Sequence, residues 1–331
     1  MFNFSTSSDD VQRYADAQDF RSMAEGFDGV ELMVFEPDER GVVPKDLVVG
    51  IHSAMPFMWA DFWRNDRAAL VREFGSMDKC HRFFGGSDPQ VIADGVRRGF
   101  AAAHEYGAEY VVVHATDVLM EEMFTFDFAR SDEYVIDALC EMLNEALVGE
   151  DGSVALLLEN LWQPGFSFTR PEMTRRLLEG VGYGNTGIML DTGHMLHTDL
   201  TLRTQEQGLA YVNRMLDEHG GLCQHVRGVH LNQSLTGEYC QQVMASFQGL
   251  PEADDQRWGR VFEHAFALDR HEPFTCKGVA QMLARLPLEY LTFEFISQDR
   301  QQHQGLLRQQ WQALEADGFQ RARTAHRGCS A

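Results

Sequence analysis

Eight short apolar runs recur along this chain at helix-sized intervals, and that rhythm restricts the fold more than any other feature. The runs are "FNFST" (2–6), "GVELMVF" (29–35), "DLVVGIH" (46–52), "EYVVVH" (109–114), "VALLLE" (154–159), "GIMLD" (187–191), "VRGVHL" (226–231) and "YLTFEF" (290–295). Most are continuously apolar rather than alternating, as expected of parallel strands covered on both faces. Between them lie helical patterns: 88–107, closing on a glycine, 130–147, and 170–181 with Pro171 suited to a first turn. Strands alternating with helices predict a (β/α)8 TIM barrel; an open doubly wound sheet is the other arrangement such alternation permits. A chain of 331 residues suits one barrel. The expected organisation is a single domain over 1–320 with long loops after strands 3 and 7 (53–87 and 232–289), then a loosely ordered tail over 321–331.

Charge and thiol usage narrow the partners. A formal net charge of −22 opposes binding to duplex nucleic acid or an anionic membrane, because phosphate contacts are made mainly by Lys and Arg. No run approaches the roughly 18 apolar residues of a membrane span. The opening "MFNFSTSSDD" has neither the basic nor the apolar region of a secretory signal. Cys80, Cys140, Cys223, Cys240, Cys276 and Cys329 are scattered without a CxxC pair. Free thiols, a cytoplasmic location and a small-molecule substrate are the expectation.

In a barrel, functional groups come from the C-terminal ends of strands and the loops beyond. His52 closes the third run, His114 the fourth, Glu159 the fifth and Asp191 the sixth, while His230 and Glu294 lie near the ends of the seventh and eighth. Any one of these alone is more readily a hydrogen-bonded core residue than a ligand. Six successive runs with such a group at the same end form a set, and each is costly on an apolar strand unless paired or metal-bound. Asp191 also opens "DTGH", where Gly193 would permit a tight turn that brings His194 back beside the carboxylate. Imidazole and carboxylate donors without thiolate suit Zn²⁺, Mn²⁺ or Fe²⁺. Late in the chain, "HAFALDRHEPF" (264–274) offers Asp269 and His271.

Other features carry less. Phe57, Trp59, Phe62, Trp63 and Arg64 follow His52 and could wall a small-molecule pocket or simply pack over the helices. Of Glu31, inside the second run, and Glu36, just after it, one could reach the site, but a solvated position or a strand-edge salt bridge is the reading. His81, His104, His219 and His303 fall away from strand ends and read as surface residues. "GVGYGN" (180–185) precedes a strand and reads as a helix-ending turn rather than a dinucleotide loop. Neither a Gly-x-Ser-x-Gly elbow nor a phosphate-binding P-loop is present.

"LLLENL" around Glu159, "GIMLDTGH" (187–194), "GVHLNQS" (228–234), "LTFEF" around Glu294 and "DRH" (269–271) together resemble the xylose isomerase-like TIM barrels. Within them, the pattern is similar to the endonuclease IV type of apurinic-site nucleases. The resemblance spans nearly the whole chain in strand order and implies up to three divalent metals per chain, Zn²⁺ first. His52, His114 and Glu159 would hold one metal. Glu159 would bridge to a second, also held by Asp191, His230 and Glu294. His194, Asp269 and His271 would hold the third. The implied activity is hydrolysis of a phosphoester in a small nucleotide- or cofactor-like substrate by a metal-bound hydroxide. Glu159 and Glu294 would be catalytic, with Arg64 as a phosphate contact. The superfamily's sugar isomerases and epimerases offer the alternative, which needs only the second metal. Apurinic-site endonuclease activity and a non-catalytic metal-binding barrel rank below both. One departure is a long insertion, 233–268, between the "HLN" and "DRH" motifs.

Overall fold

Each apolar run becomes one strand of a closed parallel barrel: β1 (Phe2–Ser5), β2 (Val30–Met33), β3 (Val48–Ser53), β4 (Tyr110–His114), β5 (Ala155–Glu159), β6 (Thr186–Asp191), β7 (Val226–Leu231) and β8 (Tyr290–Phe293). Neighbours in sequence are neighbours in the barrel, and Phe2 paired with Phe293 closes it. The computed structural model describes residues 1–251 and 253–320. The expected tail, 321–331 with Cys329, lies outside the described residues. Among the described residues no helix is long and apolar enough to cross a membrane.

The continuous apolar runs conceal a period of two. Val111, Val113, Leu156, Leu158, Ile188, Leu190 and Val229 point outward into the main core beneath the helices. Tyr110, Val112, Ala155, Leu157, Met189 and Tyr290 form a separate inner cluster that fills the barrel. Glycine makes room for the larger inner side chains: a Cβ on Gly50 would fall 2.1 Å from the Tyr110 ring. Two residues beyond this apolar layer, on the same inward line of each strand, stand His114, Glu159 and Asp191. The strand period therefore aims them into the mouth.

Helices cover the outside. Gln90–Tyr106 stops where Gly107 takes a left-handed conformation, φ 70°. Ser131 caps Asp132–Ala146 by accepting from the Tyr134 amide, and Thr204 with Gln207 forms a capping box on Gln205–His219.

The long segment after β3 folds into three short helices, Trp59–Trp63, Arg67–Phe74 and Met77–Phe84. Of the two readings of its aromatic stretch, packing holds for Trp59 and Phe62, which are buried, with Phe62 stacked on Phe84 at 4.0 Å. The Asp117 carboxylate, just past β4, accepts from the Trp59 and Ala60 amides, and Arg130 binds both Asp117 and Asp61. The segment after β7 carries Gly237–Ser246, Asp254–Leu268 and Val279–Leu283. Trp258 of this segment stacks on Phe83 of the other, with centroids 4.8 Å apart and ring planes nearly parallel. Two histidines expected at the surface are buried instead. His219 stacks on Phe168 at 3.8 Å and bonds Thr174, and His303 meets the edge of Phe2. Helix periodicity alone does not separate a buried from an exposed face when both carry mixed residues.

Candidate metal centre

The C-terminal mouth of the barrel gathers all nine imidazoles and carboxylates singled out in the sequence. Glu159, fully buried, is the hub. Its Oε2 lies 3.0 Å from His52 Nε2 and 3.2 Å from His114 Nε2. Its Oε1 lies 2.9 Å from His230 Nδ1 and 3.4 Å from His194 Nδ1. His230 Nδ1 also stands 3.0 Å from Glu294 Oε2 and 3.8 Å from Asp191 Oδ2. Donor atoms within 4.8 Å of one another form the groups His52–His114–Glu159, Glu159–Asp191–His230–Glu294 and Asp191–His194–His271.

Asp269 joins the last of these. Its Oδ2 lies 3.0 Å from His194 Nε2 and 2.8 Å from His271 Nε2. Despite the preceding insertion, "DRH" reaches the site because short contacts fix its register. Gln233 and Glu272 exchange backbone hydrogen bonds of 2.8 and 2.9 Å. Ser234 Oγ donates to Asp269 Oδ1 at 2.9 Å and accepts from the amides of Arg270 and His271.

Asp191 ends β6 and caps the five-residue helix Thr192–Leu196, accepting from the His194 amide at 2.6 Å. That capping bond brings His194 beside the carboxylate. Gly193 acts differently from the sequence expectation: it is not at positive φ. A Cβ there would fall 1.7 Å from Asn232 Oδ1, and Asn232 Nδ2 donates to Asp191 Oδ2 at 2.8 Å. The glycine clears space for the residue that holds the carboxylate.

Arg64 is a correction. It sits at the end of the helix Trp59–Trp63, pairs with Glu141 at 2.9 Å and lies over the Tyr134 ring, so its guanidinium is engaged outside the cluster. Glu31 is the opposite case. Read from sequence as solvated or at a strand edge, it is buried, and its carboxylate faces His230 Nε2 from inside the barrel, 2.9 Å from Oε1. An inward glutamate below the mouth has the same period-two placement as the strand-end groups, and that parity was the available signal. His197, also buried, approaches Asp269 Oδ1 at 3.4 Å and had no sequence signal beyond lying one helical turn past His194.

The charges in this cluster are interlocked. Burial works against a charged His230, but Glu294, Glu31 and Glu159 outweigh it and raise its pKa well above the ordinary imidazole value. Burial likewise opposes ionisation of Glu159, yet His230 and His114 hold it well below the usual carboxylate range. Burial would lower His271, but Asp269 and Glu294 lift it to about 9. Asp191 follows burial and rises to about 7, with His194 pulling the other way. Protons thus supply the positive charge this carboxylate set demands, and divalent cations could replace them. The donor set fits such cations. It mixes imidazoles with carboxylates, and buried Nδ1 atoms of His52 and His271 have no hydrogen-bond partner.

A cavity of about 500 Å³ opens onto the cluster, with Phe35, Phe266 and Ile296 exposed along its wall. A larger cavity, about 1160 Å³, lies at the opposite end of the barrel beside Met1, Val48 and Tyr290. It includes none of the clustered donors and offers no comparable chemistry.

A family model described as "Xylose isomerase-like TIM barrel" matches residues 21–286. An endonuclease IV from Thermus thermophilus is similar at 18% identity and a TM-score of 0.46, over 95% of this chain and 98% of that one. A D-tagatose 3-epimerase-like protein is similar at 16% identity and a TM-score of 0.46, again over 95% and 98%. The 3-keto-D-glucoside 4-epimerase of E. coli is similar at 14% identity and a TM-score of 0.47, over 94% and 98%. No curated protein matches the chain.

Proposed function

From the premise that the chain belongs to the xylose isomerase-like TIM barrel family, we propose that it is a divalent-metal-dependent hydrolase that cleaves a phosphoester in a small nucleotide- or cofactor-like substrate. One observation carries this reading: beyond the two groups centred on Glu159, His194 and His271 stand with Asp191 as a further donor group, and Asp269 Oδ2 reaches both imidazoles at 3.0 and 2.8 Å. A barrel that only polarises one carbonyl has no need of it.

In this reading His52, His114 and Glu159 hold one cation. Asp191, His230 and Glu294, with Glu159, would hold a second, and His194, Asp269 and His271 would hold the third. Cations there, Zn²⁺ foremost, would supply positive charge against a phosphoryl oxygen and acidify a water molecule. The chain's own groups then do the rest. Glu159, reached by four imidazoles, fixes the spacing between the first two donor groups. Glu294 lines the cavity beside His271 and would complete the second donor group. Asn232 and Ser234 keep Asp191 and Asp269 aimed inward. The cavity walls suit a small partly apolar substrate better than a polyanion: Arg13, a cationic residue lining the cavity, is already engaged by Asp10 and Ser297.

That engaged cation also favours a second reading, a sugar isomerase or epimerase. There Glu159 and Glu294 would exchange a proton at a carbon next to a carbonyl. Two measurements on the purified full chain separate the readings. About three bound transition metals with turnover of bis(p-nitrophenyl) phosphate supports the hydrolase. Solvent deuterium entering a carbon–hydrogen bond of a ketose, with no phosphodiester turnover, overturns it in favour of the epimerase.

A further inference from the structure

We propose that Glu31 is a positioning residue for His230, holding its ring so that Nδ1 is free to bind a cation. This rests on the metal-centre reading above but not on the reaction assigned to it. His230 is wholly buried, and each of its ring nitrogens meets a carboxylate. Nδ1 faces the donor cluster, 2.9 Å from Glu159 and 3.0 Å from Glu294. Nε2 faces away from it, 2.9 and 3.0 Å from the two oxygens of Glu31. The flipped ring would aim carbons at both carboxylates. An imidazole that binds through Nδ1 must carry its proton on Nε2, and a buried N–H needs an acceptor. Glu31 is that acceptor.

The carboxylate is itself held from below. Tyr110 Oη donates to Glu31 Oε2 at 2.7 Å, and Thr292 Oγ1 approaches the same oxygen at 3.4 Å. Tyr110 belongs to the apolar layer that fills the barrel. The line Tyr110–Glu31–His230 thus couples the packed floor to the donor cluster. Glu31 stands one pleat deeper than the strand-end ligands. On β2 it pairs with Gly50, whereas Met33, two residues on, pairs with His52. Its carboxylate does come within 4.8 Å of donor atoms on both His52 and His230, so direct ligation is the competing role. Ligation there would consume His230 Nε2 and withdraw that ring from the cluster at Nδ1.

The test uses the full chain and Zn²⁺, titrated in competition with a chromophoric chelator. Glu31→Gln keeps the size and one acceptor but removes the charge. It should bind the same number of Zn²⁺ at saturation, with one site weakened roughly 10- to 100-fold. Tyr110→Phe, which frees the carboxylate on one side, should weaken the same site less. Unchanged affinity in Glu31→Gln overturns the proposal. So does the loss of one whole Zn²⁺ equivalent at saturation, which would make Glu31 a ligand. If Glu31→Gln does not fold, Glu31→Asp keeps the charge but withdraws it from His230. The same weakening supports the proposal there, and unchanged affinity overturns it. A wild-type chain that takes up no Zn²⁺ defeats the metal-centre reading and this inference together. Zn²⁺ binding that depends on Glu31 without phosphodiester turnover supports the inference and counts against the hydrolase alone.

Discussion

Asp269 Oδ2 lies 3.0 Å from His194 Nε2, a contact between residues 75 positions apart. It ties the turn after β6 to a loop that the chain reaches only after the insertion following β7. Asp269→Asn keeps the shape but removes the charge that sits between His194 and His271. We expect this variant to bind one cation fewer per chain than wild type while the groups around Glu159 keep theirs. Phosphodiester turnover should fall by ~100-fold or more, the scale seen when one charge-stabilising group is withdrawn from a site. Elemental analysis alongside turnover checks this. Full metal content with unimpaired turnover would remove the third donor group from the mechanism.

Gly193 predicts a different defect. Gly193→Ala would drive a Cβ to 1.7 Å from Asn232 Oδ1, and Asn232 would have to leave Asp191. Overpacking at such a site costs about 1–3 kcal/mol. Loss of a residue that orients a ligand weakens cation binding by ~10- to 100-fold. Urea unfolding of the metal-free chain reports the first effect and chelator competition the second. A variant with normal stability and normal Zn²⁺ affinity would show that Asn232 can yield without disturbing Asp191.

The barrel was legible because its strands are buried on both faces, which leaves eight apolar runs that no helix pattern imitates. Six of the clustered side chains were legible for a related reason: a charge at the end of an apolar run is costly without a partner. Glu31 escaped because it lies inside its run and not at the closing position that marked the other groups, so only its parity on the strand pointed inward. Its partners Tyr110, His230 and Thr292 come from three other strands. Arg64 failed in the other direction. Closeness to His52 in sequence says nothing of which way a side chain turns after two bends of chain, and Glu141 and Tyr134 hold it. Asp269 and His271 were readable as a motif, but their arrival depends on Ser234 and the Gln233–Glu272 bridge, long-range contacts without a local pattern.

Protons and cations compete at this centre, and the direction is fixed by the shifts. His271 is lifted to about 9, and His194 and His230 are raised well above the ordinary imidazole value, so all three hold a proton more tightly than a free imidazole does. A cation binds only the neutral imidazole. Zn²⁺ binding at pH 7 should therefore release protons, and affinity should climb as pH rises toward about 9. Calorimetric titrations in buffers of unequal protonation enthalpy measure the release. Heats that do not change with buffer would mean the imidazoles are already neutral and the carboxylates are balanced some other way.

His303 makes a prediction far from the donor cluster. Its side chain is buried in the first turn of the helix Arg300–Ala316, its Nε2 has no partner, and Phe2 presents an edge 5.5 Å away. Burial, with Arg13 adding to it, lowers its pKa from 6.5 to about 4. The folded chain thus refuses a proton that the unfolded chain accepts. A lowered folded-state value means the contribution is complete above pH 6.5 and is lost as pH falls through 6.5 toward 4. A shift of that size is worth about 3 kcal/mol. His303→Leu removes the titration and the unpartnered nitrogen while keeping an apolar side chain against Phe2. Its stability should match or exceed wild type at pH 7.5, and at pH 4.5 the variant should be the more stable by about 2–3 kcal/mol. Urea unfolding of both proteins at the two pH values decides it. Parallel loss in both would assign the acid sensitivity to other groups and show that the folded chain admits a proton at His303.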